Sequence, residues 1–150
     1  MRLTLFFATV MLSMCMHKVA AQQVAEPILT DELQVDVKAV RWDSKTDTLT
    51  VDLFLISYQV NPREFKLNTF ATQVMDTTGK PYLYSSMQMG RVIVRIADRQ
   101  NYMHYLLAEN TPVPLSIKIA NWGKAKAAKV VLVFENSAEE GHFIQKEVNF

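Results

Sequence analysis

One cysteine in 150 residues, Cys15, excludes any intramolecular disulfide framework. A fold outside the cytoplasm would then have to be stabilised by its own packed core. Four glycines and five prolines are too few for collagen-like or low-complexity chains. No apolar stretch reaches the roughly 20 residues that a membrane-spanning helix needs. Charge is nearly balanced, with 16 Lys and Arg against 15 Asp and Glu. The densest basic stretch is the scattered KAKAAK at 124–129, so the chain lacks the basic patch that a nucleic-acid partner demands. There is no nucleophile elbow, HExxH, phosphate-binding loop or dinucleotide turn. The sequence therefore predicts neither an enzyme nor a cofactor.

What is present begins with a leader. Arg2 precedes an apolar block from Leu3 to Met16, and a polar tail ends in Val19, Ala20 and Ala21. This is the pattern of a secretory signal peptide cut after residue 21. The competing cut, a lipoprotein site before Cys15, requires Gly, Ala or Ser where bulky Met14 stands. Cys15 is accordingly expected to leave with the leader, and 22–150 to form a single exported domain in the periplasm or outside the cell. No transmembrane segment is expected after removal of the signal.

The body of the chain alternates with period two. Leu33, Val35, Val37 and Ala39 alternate with polar residues, WDSKTD supplies a turn, and Leu49, Val51, Leu53 and Leu55 resume one face of a second strand. That strand is apolar on its other face as well, at Phe54 and Ile56, and so calls for cover. Along FKLNTFATQVM the phase slips, which predicts a bulge near Thr69. DTTGK (76–80) reads as a hairpin connector. Its likeness to a carboxylate-bearing catalytic loop is superficial, because Asp76 and Gly79 are what the turn itself requires. Further strands follow at Val92, Val94 and Ile96, in PLSIKIAN and KVVLVFE, and in the closing HFIQKEVNF. The last is an edge able to accept or donate a strand. DRQNYMHYLLAEN breaks the rhythm. Tyr102, Met103, Leu106 and Leu107 fall at helical spacing between Asp98 and Asn110, which predicts a short helix near 99–109 that could cover the outer face of the second strand.

Seven to eight short strands with turns between them predict an all-β antiparallel sandwich. The succession VDVKAVRWDSKTDTLTVDLFLIS, VMDTTGKPYLY and TPVPLSIKIANWGKAKAAKVVLVFE resembles the immunoglobulin-like sandwich domains of secreted and envelope proteins of Gram-negative bacteria. The cysteine pair and central tryptophan of antibody domains are missing, so the similarity is one of architecture. It implies binding or scaffolding more often than catalysis.

Three candidate sites emerge. Phe54, Ile56, Tyr58, Tyr82, Tyr84 and Ile93 exceed what one core face needs, so a protein partner or a second copy is expected to cover what the helix does not. Met87, Met89, Met103 and His104 offer thioether and imidazole ligands of the kind that suit cuprous ion, against the simpler reading that methionines fill core gaps. Trp122, in the turn NWGK, could stack on a sugar or enter a partner's pocket, against the simpler reading of a plug over the end of the sandwich.

Overall fold

The computed structural model describes residues 29–150. The leader, its cleavage site and Cys15 lie outside the described residues. Eleven strands fold into two antiparallel sheets. They are β1 (Leu33–Asp43), β2 (Thr48–Ser57), β3 (Arg63–Asn68), β4 (Gln73–Asp76), β5 (Pro81–Tyr82), β6 (Ser86–Met89), β7 (Val92–Arg95), β8 (Tyr102–Leu107), β9 (Val113–Ala120), β10 (Ala127–Glu135) and β11 (Phe143–Asn149). The first sheet has the order β1-β2-β9-β6-β7. In the second, β4 and β3 pair with successive stretches of the same edge of β10, β5 extends from β4 and β8 from β3, and β11 takes the other edge of β10. This is an all-β antiparallel sandwich, as the alternation predicted.

The core is the space between the sheets. From the first sheet Leu49, Val51, Leu53 and Leu55 point inward beside Leu115, Ile117, Met87 and Met89. From the second come Phe65, Leu67, Met103, Val130, Leu132 and Phe134. The rings of Phe65 and Phe134 lie 5.2 Å apart, in the tilted geometry that aromatic pairs favour. Strand β2 alternates buried and half-buried residues without a break, so its period-two pattern maps directly onto inner and outer faces.

The phase slip falls where expected. After Asn68 the chain leaves the ladder for four residues, and both Thr69 and Thr72 are buried there. The break is hydrogen-bonded throughout. Thr69 donates from its backbone N to Asn101 O and from Oγ1 to Gln100 O, Thr72 N donates to Asn68 O, and Thr72 Oγ1 accepts from Val133 N. The interruption thus shifts register without orphaning buried polar groups.

Two expectations need correction. Residues 99–109 do not form a helix. A single 3-10 turn at Ile96–Asp98 is followed by β8, which pairs with β3 from Arg63↔Leu107 to Asn68↔Tyr102. Tyr102, Met103, Leu106 and Leu107 fit helical spacing, but Met103 and Leu107 also alternate inward with Tyr105 between them. An open sheet edge offered six residues of pairing, which outweighed a short helix's weak intrinsic preference. Strands also number eleven rather than seven or eight, because β8 replaces the expected helix, the interrupted segment counts twice, and the chain from Pro81 to Met89 crosses from one sheet to the other as two short strands.

DTTGK is a hairpin, with Gly79 at φ 85°. Asp76 Oδ1 accepts from Thr78 N, Thr78 Oγ1 and Lys80 N, and Oδ2 accepts from Tyr82 Oη. These bonds, led by the Thr78 hydroxyl, lower the Asp76 pKa to about 2. A carboxylate held below its ordinary value of 3.8 stabilises the fold above that value, and the contribution is lost as pH falls towards 2. Asp76→Asn should therefore lower the thermal midpoint at pH 7, and the gap between variant and parent should close on acidification from pH 4 to pH 2. A gap independent of pH would show that shape alone, and not charge, holds this turn.

Candidate functional site

Among the described residues no helix lies over the outer face of the first sheet, and the cross-strand register sorts that face into two halves. Towards the end of β2, Ile56 stands opposite Gln34, and Phe54 lies between Asp36 and the exposed Pro114. Tyr58 continues this face beyond the strand, and its hydroxyl bonds to Gln34. Phe54 and Ile56 are half-buried. The Lys38 ammonium lies 4.9 Å from the centre of the Phe54 ring and gives it partial cover. Towards the start of β2 the face turns polar, with Asp52 accepting from Arg41 and from Ser116 Oγ, followed by Thr50 and Lys118.

The apolar half adjoins a cleft of about 560 Å³ at the end of the sandwich, where the start of β1, the β2–β3 loop and the β10–β11 loop meet. Val60 on its rim is 78% exposed, and Pro62 lies beside it. Glu32, Glu64, Glu135 and Glu140 line the same cleft. Glu135 is engaged by the Gly141 N–H and by Lys66 Nζ, which hold its carboxyl below the usual range, and the Glu135 carboxylate in turn raises the Lys66 ammonium.

Arg63, 5% exposed, forms one wall of this cleft. It begins β3 on the inward face. Its Nη1 donates to Asp31 O at 2.8 Å, and its Nη2 sits 2.7 Å from Asp31 Oδ2. The approach at Nη2 is close enough for an ion pair but off the angle of a hydrogen bond, and Nε has no acceptor. The Asp31 carboxylate also accepts from Ser137 N and Ser137 Oγ. Asp31 and Glu32 both adopt left-handed backbone, at φ 57° and 50°. Two successive non-glycine residues there are strained, so the clasp of Arg63 and Ser137 on Asp31 is what fixes the entry of β1.

The sequence-derived candidates fall differently. Met87, Met89 and Met103 are wholly buried in the core, whereas His104 points from the opposite face of β8, exposed and 2.7 Å from Glu64 Oε1. The four do not converge on one ion. Among the described residues no group of three or more His, Cys, Asp and Glu is placed to hold a metal. Trp122 is only 3% exposed and presents no platform. Its Nε1 donates to Ala125 O at 2.7 Å and its ring lies 4.2 Å from that of Tyr82, so it plugs the sandwich end. Tyr84 is likewise a core residue, while Ile93 is exposed at the far edge on β7. The exposed indole is that of Trp42, whose Nε1 donates to Asp47. Val60 and Arg63 were not singled out from the sequence. Nothing local marks an arginine as buried.

The fold and this surface define an antiparallel all-β sandwich with an apolar outer patch beside an end cleft. Comparison of the chain with protein-family models, with characterised proteins and with solved structures gives no match. No helix among the described residues is long and apolar enough to cross a membrane.

Proposed function

We propose that the chain is an exported, non-enzymatic binding module of immunoglobulin-like type, periplasmic or secreted as in Gram-negative envelopes, that docks a protein partner on the apolar half of the first sheet's outer face. The observation that carries this reading is the row Phe54, Ile56 and Tyr58, an apolar strip on an outer face over which no helix or strand packs among the described residues. Half-buried Phe54 and Ile56 adjoin exposed Tyr58 and Val60, and apolar side chains that reach solvent together rather than singly mark interaction surfaces. Val60 and the cleft beside it extend the strip and give a partner side chain somewhere to enter.

A photo-reactive phenylalanine analogue at position 56 tests this in the native envelope. The expected result is a discrete adduct with a second protein, absent when the analogue is placed at Gln145 on the second sheet. No adduct at position 56, or equal adducts at both positions, would overturn the reading. An adduct of twice the chain mass would replace the foreign partner with a second copy.

A further inference from the structure

We propose that the other half of the same face is a binding site for an acidic polysaccharide, centred on a row of five residues that the register sets side by side across the sheet. Arg41 on β1 pairs with Thr50 on β2, Thr50 with Lys118 on β9, Lys118 with Ser86 on β6, and Ser86 with Arg95 on β7. All five lie on the outer face. Read across the strands the row is cation, hydroxyl, cation, hydroxyl, cation. With neighbouring strands about 4.8 Å apart, the cations recur about every 10 Å.

The charges are available. Lys118 and Arg95 are exposed and take part in no ion pair among the described residues. Arg41 pairs with Asp52, yet its side chain remains 64% exposed, and a guanidinium has further donors to offer. A depression of about 440 Å³ flanks the row, lined by Thr46, Thr48, Thr50 and Ser85 hydroxyls with Lys118 and Asp43. Hydroxyl side chains both donate and accept, which suits the hydroxyls of a sugar.

The spacing selects the ligand. A linear glycan carrying one carboxylate or sulfate on every second sugar can place an anion at each cation and neutral hydroxyls at Thr50 and Ser86. A DNA duplex carries one charge per about 1.7 Å of axis and rewards many phosphate contacts, more than three cations provide. An anionic membrane surface would be favoured by apolar side chains beside every cation of the row, whereas the exposed Ile93 adjoins Arg95 alone.

Titration calorimetry of the full exported chain with hyaluronan oligosaccharides, which carry one carboxylate on every second sugar, tests the proposal. Stoichiometric binding that weakens as salt is raised is expected, with no heat from neutral dextran. The double variant Lys118→Ala, Arg95→Ala should bind at least tenfold more weakly, and charge-reversed Lys118→Glu weaker still. Lys129→Ala on the second sheet should bind as the parent does. Both row positions are exposed, and unchanged circular dichroism and thermal midpoint will show that the variants are folded. Absence of binding, equal binding of dextran, stronger binding to phosphatidylserine vesicles, or undiminished binding by the double variant would overturn it. The protein-docking strip lies on other residues, so either result stands apart from the crosslinking outcome at position 56.

Discussion

Replacing Arg63 by methionine should lower the free energy of unfolding by about 3–5 kcal/mol, the usual consequence of removing one partner from a buried ion pair. The Asp31 carboxylate, whose side chain is 9% exposed, would keep its two contacts from Ser137 but lose its cation. The loss should register in urea as a lower midpoint with an unchanged slope, since the surface exposed on unfolding is the same. Adding Asp31→Asn should restore much of the stability. The buried charge then disappears, and asparagine tolerates the left-handed backbone at this position. Methionine is apolar and flexible, so it can fill the volume of the arginine stem. A single-variant loss below about 1 kcal/mol, in the range measured for exposed pairs, would show that water reaches the clasp. No recovery in the double variant would show that the guanidinium acts through packing, including its approach to the Phe65 ring at 5.9 Å.

Gly90→Ala should cost about 2–4 kcal/mol, for two separable reasons. Gly90 is the first residue of the two-residue loop joining Met89 to Val92 and has φ 56°, where an alanine pays roughly 1–2 kcal/mol. A Cβ there would also stand 2.5 Å from Tyr105 Oη and 2.8 Å from the ring, closer than atoms pack, and overfilling of this kind costs about 1–3 kcal/mol. Tyr105 comes from β8 in the second sheet, so the clash sits where the two sheets close on one another. Thermal unfolding of Gly90→Ala with and without Tyr105→Leu separates the contributions. Measured against Tyr105→Leu alone, the added glycine change should retain the backbone cost and shed the steric one. Equal costs in both backgrounds would mean that the tyrosine ring simply swings aside.

Much of the fold is legible along the chain because its elements speak locally. In β2 every second residue from Leu49 to Leu55 is buried, and the slip after Asn68 is visible as a change of phase. The turn at 76–80 needs a carboxylate and a glycine for reasons internal to five residues. The segment from Tyr102 to Leu107 misled because six residues with five large apolar or aromatic side chains satisfy both helical and alternating spacing. Only the vacant edge of β3, some forty residues away in sequence, decided between them. Trp122 misled in the same way. Its turn is local, but its burial depends on Tyr82 and on Asp47, whose O accepts the Trp122 backbone N–H.

The surface is where sequence reading stops. Phe54 and Ile56 could be marked as surplus from their own strand, since a face apolar on both sides is a property of one element. That no described helix or strand packs over them is a property of the arrangement of the sheets. The row from Arg41 to Arg95 draws one residue from each of five strands in the order β1-β2-β9-β6-β7, which is not their order along the chain. By itself the sequence determined alternation, turns and therefore two sheets around a core without cross-links, because side-chain period is written residue by residue. Tertiary structure alone decided which strands became neighbours and in what register. Hydrogen bonding between strands is indifferent to side-chain identity, so registers are set by the packing of the whole and by no single segment.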